Sequence, residues 1–368
     1  MNKQIQTIDI PGAFDAHFHA RQDDKMSLVM GYLTARWCGA TFMPNLKEPV
    51  TTLSRVWKYR DEIFAHISKD LPFTPVLTCY LTESTSLDEL EAGFKHKLWW
   101  AAKLYMCMPG GHGGTTGAEN GVTDISKIWP MLELMEKIGM PLLIHGEVVR
   151  PDVDEFDREK YFIDEIWEQV VRNFPKLKWV LEHISTKDAV DFVRDMTVIG
   201  IPCRATITPH HAMVNRNALF ERGLQPQNYC RPILKREENR LAVRKAMVSG
   251  EECFGAGSDA AIHWNEDKFK PCGAAGIYNG NASIELYAQI FEEDGMFQND
   301  DCRGHFRRFV SANIPSLYGL PPIKGVVRLE RTPWEMPLIC SLEDELGLHR
   351  VIPFLAGKTI NWKAKRIA

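Results

Sequence analysis

Over about the first 290 residues, short apolar runs alternate with longer stretches whose apolar positions recur at helical spacing. Runs that carry no polar face must be covered on both sides, and alternation with helices is the pattern of a parallel α/β fold. Strands are predicted at Ala13–His17, Ala40–Met43, Thr74–Leu81, Trp100–Tyr105, Pro141–His145, Lys178–His183, Ile201–Ile207 and Cys253–Ser258. Helices are predicted at Lys25–Cys38, Thr52–Ile67, Ser86–Lys97, Ile128–Ile138, Asp154–Asn173, Thr186–Asp195, Asn215–Arg222 and Glu237–Val248. In the second of these, Leu53, Val56, Trp57, Ile63, Phe64 and Ile67 make one apolar stripe. Pro130 belongs in the first turn of the fourth, and Gly139 with Pro141 stops it. Eight such units in order predict a (β/α)8 TIM-type barrel, with its site at the C-terminal ends of the strands. After Ser283 the text turns helical and then Pro-rich, so residues 291–368 are read as a C-terminal helical and irregular extension packed on the 1–290 barrel, one domain overall.

Charge narrows the function classes. The 44 basic and 48 acidic residues leave a net charge of −4, which argues against a chain built to coat nucleic acid or an anionic membrane. No apolar run approaches the roughly 20 residues that cross a bilayer. The first residues lack a basic stretch followed by an apolar one, so a cytoplasmic location is expected. Nine cysteines without a C-x2-C pair disfavour both a disulfide framework and a zinc knuckle, and most are expected to be buried thiols.

The residue types that bind metals fall at predicted strand ends. His17 and His19 close the first strand, Lys103 lies in the fourth, His145 and His183 end the fifth and sixth, and Asp259 follows the eighth. Two residues apart in an extended strand, His17 and His19 share a face and can chelate one ion. Four imidazoles with a carboxylate suit zinc better than magnesium or calcium. Singly, each has an ordinary reading: a hydrogen-bonded histidine, a salt-bridged Lys103, an Asp259 N-cap. Their convergence on one barrel mouth favours a metal centre.

At this point the chain resembles a known family, the dihydroorotases of the amidohydrolase superfamily, in their shorter bacterial type. The resemblance covers nearly the whole chain and is carried by Asp15-Ala-His-Phe-His-Ala-Arg21, Met43-Pro-Asn-Leu46, Ala102-Lys-Leu-Tyr105, Met135 through Glu147, Glu182-His-Ile-Ser-Thr-Lys-Asp188, Ala205-Thr-Ile-Thr-Pro-His210, Tyr229-Cys-Arg-Pro-Ile-Leu-Lys-Arg236 and Pro353-Phe-Leu-Ala-Gly357. It implies two zinc ions: His17, His19 and Asp259 on one, His145 and His183 on the other, and a carboxylated Lys103 bridging both. A lysine desolvated beside cations loses its proton readily, and the neutral amine adds carbon dioxide. The implied activity is the zinc-dependent, reversible interconversion of N-carbamoyl-L-aspartate and L-dihydroorotate in pyrimidine biosynthesis, with Asp259 shuttling the proton. Arg21, Asn45, His263 and the backbone around Arg231 and Ala275 would bind the substrate carboxylate, and Thr115 and Thr116 would reach it from the Gly-rich window Met106–Gly121. The implied partner is a small molecule, with no nucleic acid and no membrane; a homodimer stays open.

Three places depart from the family pattern. Ala260-Ala-Ile-His263 replaces a usual Ser-Ala-Pro-His, Arg231 stands where leucine is usual, and the Gly-rich window is long. Related hydrolases of uncharged rings (hydantoins, dihydropyrimidines, allantoin) and an inactive scaffold are the competing readings. Arg21 and Asn45 favour a carboxylate-bearing ring, and the full ligand set disfavours the scaffold. His210 and His211 find no slot in a two-ion scheme. Cys79, Cys230 and Cys272 are read as packed thiols, and Trp99-Trp100 as helix-to-barrel packing.

Overall fold

The computed structural model describes residues 6–68, 70, 72–115, 117–344 and 347–367. Eight parallel strands, β1 (Phe14–Phe18), β2 (Gly39–Phe42), β3 (Thr74–Tyr80), β4 (Ala101–Leu104), β5 (Leu142–Ile144), β6 (Trp179–Leu181), β7 (Cys203–Ile207) and β8 (Phe254–Ala256), hydrogen-bond in chain order. Each falls within or one residue off its predicted span. At the C-terminal rim, Phe18 bridges to Ala260 and the Asp259 amide donates to the His17 carbonyl at 2.9 Å, which brings β1 and β8 together and nearly closes the barrel.

Local chemistry sets the helix bounds. Thr52, Ser86 and Thr186 accept from the amides three residues on, and Gly139 ends Trp129–Ile138 in a left-handed turn with Pro130 at its start. Helix Leu87–Lys95 carries Gly93 where the buried Trp99 ring presses on it, and a Cβ there would come within 2.1 Å of the indole. The Trp99 Nε1–H donates to the Leu90 carbonyl at 3.1 Å, so this tryptophan is packing, as expected. The predicted helix Asn215–Arg222 shrinks to one 3-10 turn, Arg216–Leu219. The turn ends at Phe220, whose φ of −129° leaves the helical region, and Arg222 and Gly223 follow at positive φ.

The C-terminal segment is more than a cover. Asn313–Tyr318 is a short helix whose Ile314, Leu317 and Tyr318 pack with Phe14, Ala101 and Val180, filling the barrel at the starts of its strands. The structure also adds strands that the sequence reading lacked: Val326–Glu330 pairs antiparallel with Thr7–Pro11 on one side and Lys363–Arg366 on the other, and Cys340–Asp344 forms a hairpin with Gly347–Val351. Val326–Glu330 alternates between partly and fully buried side chains, a weak signal in Pro-rich text. No helix among the described residues is long and apolar enough to cross a membrane.

Candidate functional site

Strand ends bring the predicted donors together. His17 Nε2 lies 3.3 Å from His19 Nε2, and the two nitrogens lie 3.4 and 3.0 Å from Asp259 Oδ1. His145 Nδ1 faces His183 Nε2 at 3.3 Å, and the His17 and His183 rings are 4.9 Å apart. All are buried. Burial, reinforced by the Arg21 charge, lowers the His19 pKa to about 3, and burial also holds His183 well below the ordinary range, so both present lone pairs. Nitrogens facing each other at this distance can share at most one proton, and an adjacent carboxylate adds a further acceptor. A divalent cation satisfies such a donor set, and the residues present fit one.

Three carboxylates that the sequence reading left without a role hold this arrangement. Glu182 Oε1 meets His17 Nδ1 at 2.9 Å, and its other oxygen pairs with Lys103, which is fully buried. As an unmodified ammonium, Lys103 therefore takes the salt-bridged reading, with Glu182 as the partner. Burial lowers its pKa while Glu182 opposes the shift. Glu147 Oε2 lies 2.8 Å from His145 Nε2, fixing the ring so that Nδ1 points at His183. Burial alone would raise the Glu147 carboxyl, yet His145 and the charges of Lys235 and Arg231 outweigh it and hold the pKa down to about 2. Asp15 accepts from the Ser258 amide at 2.8 Å and its hydroxyl at 2.5 Å, tying β1 to the residue before Asp259. A sequence signal existed for all three: each lies within two residues of a metal-type ligand.

The backbone is strained where these side chains turn inward. Arg21, His183 and Asp259 have φ of 60°, 44° and 44°, values uncommon outside glycine that cluster at functional positions. The turn after His183 is held by Glu159, whose carboxylate accepts from the Ser185 amide and hydroxyl and from the Thr186 amide and hydroxyl at 2.5 to 3.1 Å. Glu159→Gln would set an amide donor against four donors, so unfolding free energy should fall by about 2–4 kcal/mol in denaturant titration. An unchanged midpoint would mean that water satisfies this turn equally well.

Above the donors is a narrow cleft lined by Arg21, Asn45, Thr115, Arg231, Ala275 and the histidines. Arg21 Nη2 donates to His263 Nε2 at 3.1 Å; burial and the Arg21 charge keep His263 neutral and able to accept. Three groups absent from the predicted set, Tyr105, Ala261 and Gly276, also line it. Arg231 also lines the cleft, and its guanidinium is engaged by Glu155 and by the Tyr229 hydroxyl at 3.1 Å. The Gly-rich window folds over the cleft. Gly117, at φ 80°, packs where a Cβ would lie 3.2 Å from Asn45, and its carbonyl accepts from the Tyr80 hydroxyl at 3.0 Å. Thr116 lies outside the described residues.

His210, His211 and Cys230 also gather. His211, however, engages both ring nitrogens, with the Thr208 hydroxyl at 2.8 Å and the Pro232 carbonyl at 2.9 Å, as a neutral clamp. Burial pushes the Cys79 and Cys230 thiols up, the reverse of what a nucleophile needs, and Cys272 is exposed.

No family profile matches the chain. It is 44% identical over 366 residues to the dihydroorotase of Yersinia enterocolitica, covering 99% of this chain and 100% of that one. Among solved structures, the dihydroorotase of Saccharomyces cerevisiae in complex with 5-fluoroorotic acid superposes with a TM-score of 0.86 at 26% identity, over 98% of this chain and 99% of the other. The L-hydantoinase of Arthrobacter aurescens superposes with a TM-score of 0.75 at 14% identity, over 98% and 84%, a likeness of fold alone.

Proposed function

Because this chain belongs to the dihydroorotase family, we propose that it is a cyclic-amide hydrolase interconverting L-dihydroorotate and N-carbamoyl-L-aspartate in pyrimidine synthesis. The same reading puts it in the cytoplasm with a small molecule as its partner. The observation that carries the substrate is Arg21. Its guanidinium lines the same cleft as the clustered imidazoles, held by His263, beside the buried Asn45. A ring bearing a carboxylate answers that cation, and an uncharged ring does not. The yeast relative is solved with a carboxylated ring, which supports the choice.

His17, His19 and Asp259 would hold one zinc ion, His145 and His183 a second, with a carboxylated Lys103 shared between them. Such ions supply Lewis acidity at the amide carbonyl and make water nucleophilic near neutral pH. The protein's part is placement and proton transfer. Asp259, kept ionised by His19 and His17 against the effect of burial, takes the proton of the attacking water and passes it to the ring nitrogen as the C–N bond breaks. Ring closure runs the same path backwards. Thr115, at the cleft wall, would bind the substrate from the overlying window.

Turnover of dihydroorotate against hydantoin and dihydrouracil tests the reading. Activity confined to the uncharged rings would move the chain to the other hydrolases, and a protein that binds no zinc and turns over none would be the scaffold. Arg21→Met sharpens the test. Losing a partly desolvated partner of the substrate carboxylate should cost about 2–5 kcal/mol in kcat/KM with dihydroorotate. An uncharged ring should lose far less; equal losses would make Arg21 a structural residue.

A further inference from the structure

Arg231, Ala275 and Gly276 of the cleft lining come from two segments with little regular structure of their own, Tyr229–Pro232 and Ala274–Gly276. Between them lies the Lys268 side chain, 6% exposed, at the end of the short helix Asn265–Lys268 that follows β8. Its ammonium donates to the carbonyls of Tyr229 at 2.8 Å, Ala274 at 2.9 Å and Gly276 at 2.7 Å. Three donors meet three acceptors, and among the described residues no carboxylate pairs with it. The Gly276 amide donates to the same Tyr229 carbonyl at 2.9 Å, so the segments are pinned at two points. Ala275, between two of the clamped carbonyls, hydrogen-bonds His263 through its backbone, and His263 accepts from Arg21.

We propose that Lys268 is a positioning residue: by clamping the carbonyls of Tyr229, Ala274 and Gly276 it sets the cleft wall at Arg231 and Ala275 and, through Ala275 and His263, the place of the Arg21 guanidinium. The inference rests on Arg21 being the fork for the substrate carboxylate. Lys268 touches no substrate. Its effect reaches the reaction as the preformed spacing between Arg21 and the Ala275 backbone, so it belongs to substrate binding and not to the chemical step.

Lys268→Met in the zinc-loaded, full-length enzyme tests this by two readouts. Hydrogen exchange at residues 274–276 should accelerate about tenfold or more while β1–β8 stay protected. The KM for dihydroorotate should rise about tenfold with kcat changed less than about threefold, since a displaced fork weakens ground state and transition state alike. Unchanged exchange at 274–276, or a loss confined to kcat, would overturn the proposal. If the Met variant does not fold, Lys268→Gln, which keeps two donors but no charge, should show the same split at smaller size. Absence of dihydroorotate turnover in the unsubstituted enzyme would overturn the substrate reading, and the exchange measurement would then decide the clamp by itself.

Discussion

Lys103→Ala should lose bound zinc and dihydroorotate turnover together, with activity down by about a thousandfold or more, about 4 kcal/mol of barrier. Lys103 is fully enclosed at the base of the donor cluster, and its only ion-pair partner among the described residues is Glu182, which also holds His17. On the two-ion proposal, four imidazoles and one carboxylate would leave the ions short of a bridging anion, which a carbamate on this amine would supply. Burial favours the neutral amine that carbon dioxide requires. The variant keeps every imidazole, so loss of metal would trace to the missing bridge. A short carboxylic acid added to it should restore metal and rate in part. Full activity in the unassisted variant would refute the assignment.

Asp259→Asn should separate binding from chemistry. The amide keeps an oxygen for a metal and the same shape, but it can neither take the proton of water nor hand it to nitrogen. At least one zinc ion should remain by metal analysis, while kcat falls about a thousandfold, within the range that proton transfer by a placed group contributes. The side chain sits 3.0 Å from His19 and 3.4 Å from His17, and both imidazoles favour its ionised form. The rate of hydrolysis should accordingly depend on one group that must be deprotonated. Ordinary turnover in the Asn variant would mean that another base does the work.

The barrel was legible because its strands are covered on both faces and read as unbroken apolar runs, while the helices carry one-sided stripes. The strands Thr7–Pro11 and Val326–Glu330 were not, since each is half covered and pairs with a partner more than three hundred residues away. Asn215–Arg222 is only a turn because Phe220 leaves helical φ and Arg222 takes positive φ, neither of which helical spacing encodes.

The candidate metal ligands that the structure gathers could be picked from residue type and strand position, whereas Arg21 entered through the family resemblance. What holds them could not be. Glu182 and His183 are neighbours in sequence, and in a regular strand they would point to opposite faces. Both nevertheless serve the same cluster, because the strand ends at Leu181 and His183 turns at φ 44°. Lys268 shows the same limit from another side, since three carbonyls at positions 229, 274 and 276 leave no mark on the side-chain sequence. Sequence alone determined the order of elements and which chemistry could occur at one end of the barrel, because periodicity and residue type are local properties. The tertiary structure alone decided which carboxylate orients which imidazole and how Arg21 is held, because those contacts depend on backbone turns and on segments brought together only when the ring of strands closes.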